Sequence, residues 1–298
     1  MGNITKVIIA GATGMLGPPV LDQLVRDGFE VTVLTRKGGN HSFPASVKVA
    51  EVDYDSLGSL IGVLEGQDAV VSALGFGAMQ QQLALIQAAI KAGVKRFIPS
   101  EFGSNIESEK SAHFPVFQGK KAAREALEKA AASSSITYTL IGTGPFLDSG
   151  IQNEFLINLR EKSINLWDGG DQLFSTTTLP AVAKTVSEVL KHPNETKNRG
   201  LNVQSTAISS RKLLEIGKTV VGSDGWKLNA RSIDDVLEAG YTELKKDHPE
   251  PLVRRNFIVA AIFGKDYGGH FPKVDNELLG IEEMTDAQIQ NLMESFVK

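Results

Sequence analysis

The chain has 298 residues, 42% of them hydrophobic and 22% charged, with a formal net charge of −4 and no cysteine. That length is enough to bury a large core, in one elaborated domain or two closely joined ones. The slight acidity argues against nucleic acid or an anionic membrane as the main partner, and the lack of cysteine excludes disulfides, thiolate metal sites and cysteine nucleophiles.

The first apolar run begins almost at once, so no signal or transit peptide is expected. No apolar run is long enough to span a bilayer, so the expectation is a soluble cytoplasmic protein with no membrane partner. That first run is VIIAGATGMLG, from Val7 to Gly17. An unbroken apolar stretch ending in three glycines three apart reads as a buried strand turning sharply into a helix. Gly11 permits the tight exit, Gly14 lets backbone come close to a pyrophosphate, and Gly17 lets the helix lie on the sheet. The anion is expected on the N–H groups of Thr13, Met15, Leu16 and the first helical turn.

The helix that follows presents Val20, Leu21, Leu24 and Val25 on one face, carries Pro18 and Pro19 in its first turn, and stops at Gly28. EVTVL (Glu30 to Leu34) is a second strand, which completes one strand, helix, strand unit of about 30 residues. Thr35, Arg36 and Lys37 come next, where a dinucleotide site often has an acid for the ribose 2′-hydroxyl. A guanidinium there instead clamps a 2′-phosphate, so NADP(H) is favoured over NAD, with Lys37 in support.

KVAEV (Lys48 to Val52) reads as a third strand, and Asp53 either reaches an adenine or caps the helix from Leu57 to Leu64. DAVVSALGFG (Asp68 to Gly77) is a fourth strand with small residues at its exit, placing Ala73 and Leu74 beside a cofactor. A helix from Met79 to Ala92 leads to a fifth strand from Arg96, with a polar exit at Ser100 and Glu101. The alternation of apolar strand and amphipathic helix predicts a doubly wound, parallel α/β sheet of Rossmann type, with ligands at the carboxyl ends of its strands.

A strongly helical stretch follows Phe117 and carries Lys120, Lys121 and Arg124; two adjacent lysines point about 100° apart, so at most one faces a site. A sixth strand within SITYTLIGTGPFLDSG (Ser135 to Gly150) ends near Thr143, Gly144 and Phe146, with room for a ligand. INLWDGGDQLFSTTT (Ile164 to Thr178) reads as a hairpin around Asp168, Gly169 and Gly170, followed by a helix that ends before Pro193. GLNVQS (Gly200 to Ser205) is a seventh strand returning to the sheet. Helices near Ser209 to Val221, Asp234 to Lys246, Pro251 to Phe263 and Thr285 to Val297 then build a smaller, mostly helical lobe over the strand tips. The expected division is residues 1–150 and 177–206 for the cofactor domain, and 151–176 and 207–298 for the substrate lobe.

The five histidines are scattered with no helical zinc spacing, so no metal site is expected, and no GxSxG elbow is present. A nucleotide site and a few proton donors remain. Lys120 is the best donor, since loss of hydration near the strand tips would lower its pKa. Phe102, Phe114, Phe146, Phe155, Tyr267 and Phe271 are either pocket walls or plain core. Ser100 and Thr143 are either site hydroxyls or local caps.

GATGMLG (Gly11 to Gly17), TRK (Thr35 to Lys37), RFIPSEFGSN (Arg96 to Asn105) and FQGKKAAREALE (Phe117 to Glu128) together resemble the isoflavone reductase and NmrA-like group of atypical short-chain dehydrogenases. The likeness runs on through GTGPFLDSG, FSTTT and KNRG into AIFGKDYGG and is greatest to fungal isoflavone reductase-like members. It implies an NADPH-dependent reductase in which the lysine of KxxxR is general acid or base and contacts the nicotinamide ribose. Here that lysine is Lys120, four before Arg124. The implied substrate is a small aromatic metabolite, phenylpropanoid- or polyketide-like, since relatives act on aromatic ethers or allylic esters. The Tyr-x-x-x-Lys pair of ordinary short-chain dehydrogenases is missing, with Val116 in the tyrosine's place, and His113 is a candidate to share the proton path. The alternative within the group is a redox-sensing regulator that binds NADP(H) and a protein partner without catalysis.

Overall fold

A computed structural model describes residues 2–39, 41–133, 136–248, 250 and 252–297. In chain order its elements are β1 (Lys6–Ala10), α1 (Gly17–Arg26), β2 (Glu30–Arg36), β3 (Lys48–Val52), α2 (Leu57–Leu64), β4 (Ala69–Ser72), α3 (Met79–Lys91), β5 (Arg96–Ile98), α4 (Gln118–Ser133), β6 (Thr137–Gly142) and α5 (Leu147–Gln152). They continue with β7 (Ser163–Trp167), β8 (Phe174–Thr176), α6 (Leu179–Lys191), β9 (Arg199–Asn202), β10 (Thr206–Ile208), α7 (Ser210–Val221), β11 (Lys227–Arg231), α8 (Ile233–Leu244), α9 (Val253–Phe263) and α10 (Asp286–Val297). Ser135 and Pro251, where a predicted strand and helix begin, lie outside the described residues.

The chain divides into two compact units, Met1–Glu101 with Gln118–Ile141 and Pro180–Leu201, and Phe102–Phe117 with Gly142–Leu179 and Asn202–Lys298. The first carries the seven-stranded sheet, in the order β3-β2-β1-β4-β5-β6-β9. β1 runs parallel to both neighbours, Val7 opposite Val31 on one side and Ala69 on the other. Its run of Val7, Ile8, Ile9 and Ala10 has no exposed surface at all, as expected of a strand covered on both faces. Ile8, Val70, Leu85, Phe97 and Leu127 belong to one core cluster of this unit. The doubly wound α/β architecture is therefore the one the alternating pattern predicts.

Two local expectations change. β4 stops at Ser72, because Ala73 to Gly75 leave the sheet before a single 3-10 turn at Phe76–Ala78. The cap of α2 is Ser56, whose hydroxyl accepts from the Ser59 N–H, while Asp53 accepts from the Asp55 N–H in a turn of its own.

The second unit spans about as much chain as the first, where a smaller lobe was expected. It also takes residues 102–117, 142–150, 177–179 and 202–206, which the sequence had assigned to the cofactor domain, because their contacts are non-local. The Gly103 carbonyl accepts from the N–H groups of Thr143 and Gly144, and Phe114 stacks on Phe117 and Tyr267 and lies tilted against Phe257. The predicted hairpin is not one. Asp168, Gly169 and Gly170 do turn the chain through left-handed backbone, but β7 pairs in parallel with β11, and β8 pairs antiparallel with β10. Asp168 directs the turn toward β11: its N–H donates to the Arg231 carbonyl and its carboxylate accepts from the Ile233 N–H.

Candidate functional site

The glycine turn and the exit of β2 line one cleft of about 760 Å³ in the first unit. That volume is in the ordinary range of small-molecule sites. Of the residues expected to hold a cofactor, Gly11, Thr13, Gly14, Arg36, Lys37, Ala73 and Leu74 line it. Met15, Leu16, Gly17, Ser100 and Lys120 stand outside this lining, and Gly144 and Phe146 belong to the second unit.

The turn's three glycines have three different physical reasons. Gly11 has φ +87°, and a Cβ there would lie 2.6 Å from the Ala73 carbonyl oxygen. Gly17 lies so close to the Gly11 carbonyl and the Ala12 backbone that a side chain does not fit. At Gly14 a Cβ would meet the protein only at 3.4 Å, an ordinary contact, so the protein's own packing does not require glycine. Bare backbone at Gly14, on the wall of the cleft, fits the close approach of a pyrophosphate. Pro18 and Pro19 are the second and third residues of α1 and have no N–H, so the amides left to face an anion at this turn are those ahead of Pro18, Gly17 included.

Arg36 and Lys37 are exposed in the cleft, and among the described residues neither is ion-paired. Tyr54, also in the lining, is held protonated, its phenol pushed up to about 12 by burial against the opposing pull of Arg36. Thr35 Oγ1 and Gln81 Oε1 are buried polar atoms without a partner in two lining residues. Two unsheathed cations, bare backbone at Gly14 and unsatisfied polar atoms together fit a phosphorylated dinucleotide. Tyr54, Gly75, Gly77, Gln81 and His41 were not picked out by sequence reasoning, since their part depends on loops brought together by the fold.

Ser100 and Lys120 sit at the tip of β5 and its surroundings. The Ser100 hydroxyl donates to the Leu74 carbonyl at 2.7 Å, and its N–H donates to Gln82 Oε1 at 2.7 Å, so it ties β4's exit to α3. Lys120 is 5% exposed and donates through Nζ to the Glu101 carbonyl oxygen. The Phe76 ring lies 5.2 Å from the ammonium. Phe76 stands between Gly75 and Gly77, two residues of the cleft wall. Burial holds Lys120 below the ordinary lysine pKa; the Glu101 carboxylate opposes this and Arg124 adds to it. Lys121 beside it is half-buried.

In the second unit, Phe102, Phe146, Phe155 and Tyr267 are half-buried and His113 is exposed. Phe114 and Phe271 are 1% and 3% exposed and serve as core. Thr143 donates its hydroxyl to the Gly144 carbonyl, a local role.

The model of the NmrA-like family matches residues 4–229. The chain belongs to the NmrA-like family. Among its relatives, oxidoreductase aprR of Aspergillus flavus is 32% identical over 269 residues, covering 88% of this chain and 90% of its own. Phenylcoumaran benzylic ether reductase PT1 of Pinus taeda is 26% identical over 289 residues, 89% of each chain. The solved structure of AtPrR2 with NADP+ and (+)pinoresinol superposes with a TM-score of 0.79 at 21% identity, covering 99% of this chain and 100% of that one. This last likeness is one of fold, and it places the NmrA-like chain on the same Rossmann-type frame.

Proposed function

We propose that this chain is an NADPH-dependent reductase that passes hydride to a small aromatic metabolite, with Lys120 as general acid or base. The observation that carries the reading is the cleft in which the glycine turn and the unpaired Arg36 and Lys37 meet. Backbone amides ahead of Pro18 hold the pyrophosphate, and Arg36 clamps the 2′-phosphate with Lys37 in support. NADPH supplies the hydride when bound. Lys120 holds the proton at Nζ, near the cleft wall through its contact with Phe76, and burial lowers its pKa, which eases release of that proton. An aromatic substrate is supported by the relatives whose names are benzylic ether and pinoresinol reductases. Phe102, Phe146, Phe155 and Tyr267 are the aromatic side chains assigned to substrate contact.

The decisive experiment incubates the protein with NADPH and a panel of phenylpropanoid and polyketide metabolites and follows NADPH oxidation by absorbance. Lys120→Met is expected to lose turnover by about 100-fold or more while NADPH still binds. Unchanged turnover removes Lys120 from the chemistry; binding of NADPH with no oxidation by any metabolite favours the regulator.

A further inference from the structure

Glu101 is 4% exposed and offers two acceptors in opposite roles. Its carbonyl oxygen takes the Lys120 ammonium, while its carboxylate is held in a two-pronged pair by Arg124, Nε to Oε1 at 3.1 Å and Nη2 to Oε2 at 2.9 Å. The pair is largely buried, with side-chain exposures of 14% for Arg124 and 3% for Glu101. Lys120 and Arg124 lie one helical turn apart on α4, so both reach the same residue at the β5 tip.

A buried lysine beside a buried carboxylate would ordinarily form an ion pair. Such a pair would hold Lys120 charged and useless as a proton carrier near neutral pH. A guanidinium matches the two oxygens of a carboxylate better than an ammonium does, and it stays charged at any working pH. We propose that Arg124 is a positioning residue that takes up the Glu101 carboxylate, so that Lys120 is left on the neutral Glu101 carbonyl and the Phe76 ring. This rests on the reading of Lys120 as the proton-transferring group.

The charged groups that act on Lys120 are Glu101 from the β5 tip and Arg124 from its own helix. On the side of α3 and the 3-10 turn before it, residues 69–90 contain no charged side chain. Gly119 packs so tightly there that a Cβ would lie 2.7 Å from Met79 Cγ, which fixes the start of α4 against α3. With Arg124 removed, the cation among the described residues that is electrostatically coupled to the Glu101 carboxylate is Lys120.

The test reads the titration of Lys120 without turnover. Protein labelled with carbon-13 at the lysine Cε is titrated by two-dimensional NMR, with the Lys120 signal assigned by its loss in Lys120→Met. In Arg124→Met the Lys120 midpoint is expected to rise by at least about one pH unit, the lower end of what a close opposite charge produces. Glu101→Gln is expected to lower it, and Arg124→Lys to return it part of the way toward the unmodified protein. Should Arg124→Met fail to fold, the double variant Glu101→Gln/Arg124→Met, which leaves no buried charge behind, carries the test. Its Lys120 midpoint is expected within about half a unit of the unmodified value, because with the carboxylate gone Arg124 has nothing to withhold. A midpoint unmoved or lowered in Arg124→Met, or raised by a full unit in the double variant, overturns the proposal. Loss of the acid or base role itself would appear separately, as unchanged turnover in Lys120→Met.

Discussion

Lys120 donates to the main-chain carbonyl of Glu101 and not to its carboxylate, although both are buried at the same strand tip. The division follows from sequence spacing: an arginine one turn along α4 takes the carboxylate, and the lysine takes what remains. An ammonium on a neutral acceptor, away from water, holds its proton less firmly than one in an ion pair.

Arg36 marks the cofactor choice. Arg36→Asp is expected to weaken NADPH binding by about 10- to 100-fold and to leave NADH nearly unchanged, since one charge-assisted contact to the 2′-phosphate is lost. Fluorescence titration of both nucleotides checks it; equal weakening would mean that Arg36 does not hold that phosphate.

Gly11 and Gly14 separate packing from binding. Gly11→Ala is expected to cost at least about 2 kcal/mol of stability, because left-handed backbone and a Cβ 2.6 Å from the Ala73 oxygen add together. Gly14→Ala, with its nearest protein atom at 3.4 Å, should leave the urea midpoint almost unchanged and still weaken NADPH binding. The contrast is read by urea unfolding beside the same fluorescence titration.

Arg96 has no exposed surface and holds Thr137, Thr139 and Thr196 hydroxyls and the Pro193 carbonyl, joining β5 and β6 to the segment after α6. Burial lowers its pKa to about 10, still well above neutrality, so it folds as a cation. Arg96→Lys is expected to destabilise by about 3 kcal/mol, since a single ammonium cannot span these acceptors. A thermal or urea midpoint close to that of the unmodified protein would contradict this.

Asp68 predicts acid sensitivity. Burial alone would raise its carboxyl, but Lys95 and the Lys6 and Thr5 donors outweigh that and hold it well below the usual carboxylate range. A carboxyl depressed in the folded state stabilises above its unfolded pKa of about 3.9, and that stability fades as pH falls toward the folded value. Unfolding followed between about pH 5 and pH 2 should therefore show a weaker pH dependence in Asp68→Asn than in the unmodified protein.

Much of the candidate site was legible because its signals are local. The exit at Gly11 and the cation at Arg36 each follow from a few neighbouring residues, with strand and helix periods placing them at the ends of elements, and Lys120 with Arg124 follows from the family's KxxxR pattern. Where a residue's part depended on a partner far along the chain, the sequence left it open or misled. The left-handed run Asp168 to Gly170 looks like a hairpin turn, yet β7 finds its partner in β11, some sixty residues on. Phe114 reads equally as pocket wall or core, and it packs in the core, stacked on Phe117 and Tyr267 and tilted against Phe257.

By itself the sequence determined the doubly wound α/β frame and the glycine turn, because hydrophobic period and turn chemistry act over a few residues, while the candidate lysine came from the resemblance to the family's KxxxR pattern. Only the tertiary structure decided that Tyr54 and Gln81 join Arg36 in one cleft, and that Glu101 gives its carbonyl to Lys120 and its carboxylate to Arg124. Those outcomes depend on which acceptor is within reach once distant segments have packed, and no local pattern carries that distance.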